Sequence, residues 1–219
     1  MLSPEVIAGL ADELAEADRT HGMISRITAR HPEATVEDSY AIQRVWSDRK
    51  AAAGHRLVGR KIGLTSKAMQ QATGITEPDY GVMFDDTVWH DGDAIPVDLF
   101  SNVRIEVELA FELSRPLSGP DCTLDDVLQA TARVIPALEV LNSHIELEGR
   151  TIVDTIADNA AYGGIVLGGI PKRPDEIDLR WVPGVQEVSI GHALISDALE
   201  LGYTAAVQEY LRCIDEAFA

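Results

Sequence analysis

Residues 104–113 read RIEVELAFEL, and the reading of this stretch governs the rest of the chain. Ile105, Val107, Leu109, Phe111 and Leu113 occupy every second position, with Arg104, Glu106, Glu108 and Glu112 between them. A period of two marks a β-strand, whose successive side chains point to opposite faces. Glu106 and Glu108 therefore share one face at a separation of about 7 Å, twice the rise per residue, and can converge on one ion. An antiparallel strand with one face in water has the same pattern, so the strand alone leaves both readings open.

The stretch IPALEVLNSHI, residues 135–145, narrows the choice. Glu139 is a single acid inside an apolar run, and a charge left unpaired in an interior costs several kcal/mol or is neutralised by protonation. A buried carboxylate calls for a cation. Three glutamates with no His or Cys close by in sequence make an all-oxygen set, the preference of hard Mg²⁺ or of Mn²⁺ over Zn²⁺ or Cu²⁺. Such a set leaves coordination positions open for water and a chelating substrate.

Two further stretches carry chemistry, GRKIGLTSKAMQ (59–70) and EPDYGVMFDD (77–86). Lys61 lies on an expected strand between Gly59 and Gly63, which permit close approach of backbone or ligand. Asp79 follows Pro78 in what reads as a turn ending at Gly81. A surface lysine and a turn-forming aspartate are the ordinary readings. Beside a polarised carbonyl, the lysine could instead bond an oxygen gaining negative charge, and the aspartate could accept and return protons. The glycines of YGGIVLGG (162–169) lack the order of a phosphate-binding fingerprint and read as turns around a buried strand.

Helical periodicity covers residues 4–17, and TVEDSYAIQRVWSDRKAAAG adds a second helix with a Thr35–Asp38 capping box and a stop at Gly54. TLDDVLQATARV repeats that design from Thr123 and is expected to end before Pro136. Strands are expected in RLVGRKIGLT, TVWHDGDAIPV, RIEVELAFEL, IPALEVLNSHI and GGIVLGG. Helices come early and once in the middle while strands come in clusters. This order predicts an α+β protein on a rolled or barrel-like mixed sheet, not a doubly wound one. From about Gly191 a terminal helix is expected, with Val207, Tyr210, Leu211, Ile214 and Phe218 on one stripe.

The bulk properties bound the function. A chain of 219 residues with 46% hydrophobic content can bury one ample core. Its net charge of −18 disfavours nucleic acid and anionic membranes, and no basic run reverses this locally. No stretch reaches the roughly 20 apolar residues that span a bilayer. Cys122 and Cys213 are far apart and form no metal or disulfide pattern, which fits a reducing cytoplasm.

Taken together, VGRKIGLTSKAMQ, EPDYGVMFDD, RIEVELAFEL, VIPALEVLNSHI and DTIADNAAYGGIVLGG resemble, in that order and spacing, the 2-keto-4-pentenoate hydratase branch of the fumarylacetoacetate hydrolase superfamily. Within it, the likeness is to the 2-oxo-hepta-3-ene-1,7-dioate hydratases of homoprotocatechuate degradation. It extends over roughly residues 1–182. The resemblance implies a magnesium- or manganese-dependent lyase acting on the 2-hydroxy-dienoates left by aromatic ring cleavage. It implies Glu106, Glu108 and Glu139 as metal ligands, Lys61 and Asp79 at the reacting groups, and Asn159 on the substrate. Arg60, Lys67 and Arg104 are the candidates to meet a distal substrate carboxylate. It also implies a fumarylacetoacetate-hydrolase-like fold with a helical region over residues 1–55 and a catalytic β-roll over 56–219, in one functional unit that self-associates.

One departure stands out. After DLRWV the further sheet strands expected of the family are missing, and the terminal helical stripe takes their place. Two other readings follow: a 4-oxalocrotonate decarboxylase, which shares the fold and chelating residues, and a truncated, non-catalytic homologue that binds metal and partners. If the sheet is incomplete, exposed strand edges are expected, with aggregation or poor stability.

Overall fold

The computed structural model describes residues 1–64, 70, 78–119 and 121–177. Among these residues the helices are α1 (Pro4–Thr20), α2 (Ile27–Arg30), α3 (Val36–Ala52), α4 (Leu124–Ala130) and α5 (Ile152–Ala157). The strands are β1 (Leu57–Gly63), β2 (Asp79–Phe84), β3 (Val88–His90), β4 (Val103–Leu113), β5 (Thr131–Asn142) and β6 (Tyr162–Leu167). They belong to two compact units, one of Met1–Gly63, Asp79–Glu112 and Val134–Pro171, the other of Leu64–Pro78, Leu113–Arg133 and Lys172–Ala219.

In the first unit, Ser3 caps α1 by accepting from Val6 N, and the helix stops at His21, whose φ of 54° is left-handed. α3 starts on the expected capping box, in which Thr35 and Asp38 satisfy one another's backbone N–H groups. Asp154 serves the same purpose at the start of α5, accepting from Thr151 N and Oγ1, and it also takes Thr28 N and Oγ1. Leu10, Leu14, Ile27, Ile42, Ile145 and Ala157 form the core between these helices. Gln43, buried on α3, donates from Nε2 to Tyr80 O at 3.0 Å and Ile156 O at 3.1 Å, tying β2 and α5 to the helical layer.

The sheet is mixed, as the sequence predicts. β1 and β2 form an antiparallel pair, and a four-stranded sheet runs in the order β3-β6-β5-β4, with β3 parallel and β5 antiparallel to β6. The described strands form no closed barrel. Ala137, Tyr162 and Ile165 make a second small core under this sheet.

Several local expectations change. The helix from Thr123 ends at Ala130, in the second unit, and the chain is already a strand at Thr131. Thr131, Val134 and Ile135 are β-branched, and pairing along the sheet outweighs the weak helical propensity of the short run. Pro136 is tolerated inside β5 because its carbonyl still serves the sheet, accepting from Gly168 N at 3.1 Å. Asp79 is not in a turn: it opens β2. The strand around TVWHDGDAIPV is reduced to Val88–His90, ended by a turn at Gly92 with φ of 92°. α2 and α5 were not expected. The apolar row of RIEVELAFEL is exposed, with Val107 at 86% and Phe111 at 58%. The expected terminal helix lies outside the described residues.

Candidate active site

The register of β1 and β2 builds the first half of the site. Lys61 stands opposite Gly81, and Asp79 opposite Gly63. Each functional side chain therefore crosses a strand position that has no side chain, and the two lie on one face because Lys61–Gly63 and Asp79–Gly81 are each two residues apart. The fit is close. A Cβ at Gly63 would collide with Asp79 Oδ1 and stand 3.3 Å from Lys61 Nζ, and one at Gly81 would meet the Asn159 carbonyl at 2.5 Å and Lys61 Cδ at 3.2 Å. The two glycines are what lets the amine and the carboxyl crowd one point.

The second half comes from the four-stranded sheet. One oxygen from each of Glu106, Glu108 and Glu139 lies within 4.8 Å of the others. Glu106 and Glu108 are exposed on β4, whereas Glu139 on the neighbouring β5 is 6% exposed. Lys61 Nζ reaches across to Glu139 Oε1 at 3.1 Å, an ion pair between two largely buried side chains. Among the described residues, Glu139 Oε1 has no partner besides that ion pair, and neither oxygen of Asp79, which is 3% exposed, has a hydrogen bond.

Electrostatics follow from this crowding. Burial, aided by repulsion from Glu106 and Glu108, pushes the Glu139 pKa up to about 7 against the attraction of Lys61. Burial, then repulsion from Glu106, raises that of Glu108. For Asp79, burial outweighs the pull of Lys61 and Arg150 and favours the protonated acid. Three mutually repelling carboxylates, one of them buried with Lys61 as its charged partner, suit a divalent cation, which would relieve all three. A second group, His55, Asp85 and Asp86, is closed by its own ion pairs, Arg56 Nε to Asp85 at 3.0 Å and Lys50 Nζ to Asp86 at 2.9 Å.

A third element braces the site. Asn159, Ala160 and Ala161 carry φ values of 50°, 54° and 56°, three successive non-glycine residues in the left-handed region. Each costs roughly 1–2 kcal/mol. Strain of this kind persists only where the surroundings impose it. Here Asn159 Oδ1 accepts from Val82 N at 2.8 Å and its Nδ2 donates to Val82 O at 2.9 Å, so the side chain acts as a strand partner for β2. Ala160 O accepts from Lys61 Nζ at 3.0 Å. Just before the turn, buried Asp158 takes His144 N at 2.7 Å and Ser143 Oγ at 3.0 Å on Oδ2, and the His144 ring on Oδ1 at 2.9 Å. Burial alone would lower the His144 pKa, but Asp158 and Asp18 outweigh it and push it up to about 9. The amide Nδ2 of Asn142, held in place because its Oδ1 accepts from Ser101 N and Asn102 N, faces His144 Nε2 at 2.9 Å and opposes the proton there.

The six residues read as catalytic, metal-holding or substrate-binding, Lys61, Asp79, Glu106, Glu108, Glu139 and Asn159, lie in the first unit. The amide of Asn159 is committed to Val82. Arg60 and Arg104 are exposed, and Lys67 lies outside the described residues. Sequence reasoning missed His144, Asp158 and Arg150. Arg150 is partly buried, donates from Nη1 to Ser143 Oγ at 2.8 Å and interacts electrostatically with Asp79 and Arg104. No spacing pattern marks a lone arginine in a loop, although a histidine and two aspartates in apolar surroundings, at 144, 154 and 158, are a composition signal.

Comparison with known proteins gives this geometry its context. The chain is 52% identical over 179 residues to 2-oxo-hept-4-ene-1,7-dioate hydratase of Escherichia coli, covering 79% of this chain and 67% of that protein. It is 39% identical over 181 residues to 2-keto-4-pentenoate hydratase of Paraburkholderia xenovorans LB400, covering 83% and 67%. It thus spans about two thirds of the length of these curated relatives. Among solved structures, 4-oxalocrotonate decarboxylase from Pseudomonas putida G7, complexed with magnesium and adipate, superposes with a TM-score of 0.80 at 30% identity, covering 95% of this chain and 83% of that one. Residues 176–216 match a different family model, that of the pyridoxal phosphate biosynthesis protein PdxJ. This match coincides with the segment where the hydratase-like pattern stops. Identity at this level over four fifths of the chain, on the same fold, means that the protein belongs to the 2-keto-4-pentenoate hydratase family, enzymes of the fumarylacetoacetate hydrolase superfamily.

Proposed function

We propose that this protein is a hydratase that adds water to a 2-hydroxy-dienoate, with the seven-carbon dicarboxylate of its Escherichia coli relative as substrate, in the catabolism of aromatic compounds. The observation that carries the reading is the meeting of three carboxylates within 4.8 Å with Lys61 bonded to one of them. Glu106, Glu108 and Glu139 would hold Mg²⁺ or Mn²⁺, hard cations that suit an all-oxygen set. A bound cation would supply Lewis acidity at the substrate's 2-oxygen and carboxylate.

The chain's own groups account for the remaining chemistry. Protonation of the dienol at C5, with release of the 2-hydroxyl proton, gives the conjugated 2-oxo-3-enoate. Water then adds, its hydroxyl to C4 and a proton to C3. Lys61 donates to the 2-oxygen as negative charge gathers there. Asp79, inclined by burial to keep its proton, can deliver one to carbon and accept one from the entering water. Asn159, with its amide bonded to Val82, acts on substrate through the turn that it opens. None of the described helices is long and apolar enough to cross a membrane. The two distant cysteines support a cytoplasmic enzyme, and the exposed apolar row of β4 supports self-association.

The test is the ultraviolet absorbance of 2-hydroxyhepta-2,4-dienedioate mixed with purified protein, with and without Mg²⁺. A magnesium-dependent loss of the diene band to a hydrated product is expected. Release of carbon dioxide would favour the decarboxylase reading, which the solved neighbour supports. A folded protein that binds Mg²⁺ without turnover would favour the non-catalytic reading, for which the PdxJ-like segment is the supporting feature.

A further inference from the structure

The Lys61 ammonium has two anchors, the Glu139 carboxylate and the Ala160 carbonyl. Only the second is independent of the acidic cluster. If Glu139 turns to a cation, the orientation of Lys61 falls to a backbone oxygen in a turn of three left-handed residues. Nothing in the residue types Asn, Ala, Ala favours that conformation over three positions, so the turn takes its shape from what grips its ends.

One grip is Asn159 on Val82. The other is Asp158, which is 4% exposed. Its carboxylate accepts three bonds from two consecutive residues, Ser143 Oγ, His144 N and the His144 ring, all at the end of the segment that also carries Glu139. Its carbonyl accepts from Ala161 N at 2.8 Å and so closes the turn directly. A single residue thus links the Ser143–His144 backbone to the turn, one position short of Asn159 and two short of the carbonyl that holds Lys61.

We propose that Asp158, held by His144 and Ser143, is a positioning residue that fixes the left-handed Asn159–Ala161 turn and thereby aims the Lys61 ammonium through Ala160 O. This rests on the role proposed above for Lys61. The hydrogen bonds of the Asp158 carboxylate run to Ser143 and His144 and not to Lys61 or the three glutamates. Asp158 also attracts Arg150, which interacts with Asp79 as well, and the turn is the route that leads to Lys61.

The test pairs a measurement independent of turnover with one that depends on it. Trace labelling with acetic anhydride, read by mass spectrometry, reports how free the Lys61 amine is, with exposed Lys172 as internal standard. In Asp158→Asn, labelling of Lys61 relative to Lys172 is expected to rise several-fold. Turnover at saturating Mg²⁺ is expected to fall about 10- to 100-fold in kcat, the usual loss when a supporting residue is removed, with KM little changed. In a Lys61→Met background the same substitution should cost no more than about 2-fold, because the two act as one unit. If Asp158→Asn does not fold, Ser143→Ala removes only one of the three bonds to Asp158 and should move both readouts in the same direction by less. Unchanged Lys61 labelling in a folded variant would overturn the proposal, and so would losses that multiply across the double variant. A wild-type protein without turnover would defeat the hydratase reading while the labelling still decides the positioning one. Altered labelling with unaltered kcat would keep Asp158 in place and remove Lys61 from the chemistry.

Discussion

Lys61 Nζ lies 3.1 Å from Glu139 Oε1, and the two side chains are 10% and 7% exposed. A buried pair of this kind is costly to break from one side, because the survivor is left as an uncompensated charge. The relationship separates Glu139 from the other two acids. It serves the metal-free fold as well as the proposed metal.

Glu139→Gln leaves the Lys61 ammonium without its charged partner and is expected to lower the stability of metal-free protein, but by less than the roughly 3 kcal/mol of an unopposed buried pair, because burial and the neighbouring acids already disfavour the Glu139 charge. Glu106→Ala should leave it unchanged or slightly higher, since it relieves repulsion on Glu108. Urea unfolding in the presence of a chelator separates the two.

Metal binding should fail in both variants. Glu106→Ala is expected to abolish metal-dependent turnover and magnesium-induced thermal stabilisation. For wild type, saturation at about 100 times Kd corresponds to about 2.7 kcal/mol. Full activity in Glu106→Ala would remove the residue from the metal set.

Gly63→Ala tests the crowding on β1 and β2. The added methyl collides with Asp79 Oδ1 beside the Lys61 ammonium, and overpacking of this kind costs about 1–3 kcal/mol. Turnover should drop sharply while calorimetric Mg²⁺ affinity is kept, because none of the three glutamates proposed to hold the metal lies on either strand. Loss of metal affinity would mean that the strand pair also shapes the metal site.

The His144 pKa, raised from 6.5 to about 9, dictates a pH dependence of stability. The folded state holds this proton more tightly than the unfolded state, so the contribution is complete below about pH 6.5 and is lost as pH rises through about 9. Urea midpoints for wild type should fall between those pH values, and His144→Gln should flatten that part of the profile.

The exposed apolar row of β4 predicts self-association, since a strand at the edge of the sheet among the described residues, with Ile105, Val107 and Phe111 in water, invites pairing. Val107→Glu should reduce the mass seen by light scattering. A mass unaffected by this change would exclude that face.

Much of this was legible in the chain before folding. The capping boxes at Thr35 and Thr123 fixed two helix starts, because the signal is complete within four residues. The alternation of residues 104–113 gave the strand and its two acids for the same local reason. The isolation of Glu139 in an apolar run marked a buried charge, and it is buried. By contrast, the end of the helix at Ala130 was hidden, since it is decided by a partner outside the helical run, Ser114, whose N–H and Oγ–H both donate to the Ala130 carbonyl.

The sequence by itself determined which residues have chemistry to offer: periodicity, caps and the cost of an unpaired charge are local properties, readable without a fold. Only tertiary structure decided what they meet. The register that sets Lys61 over Gly81 and Asp79 over Gly63, the approach of β4 to β5 that gathers the glutamates, and the grip of Asp158 on a left-handed turn all depend on contacts between residues distant in the chain. Such contacts arise from simultaneous packing and hydrogen-bond satisfaction across the whole unit, and no window of sequence contains them.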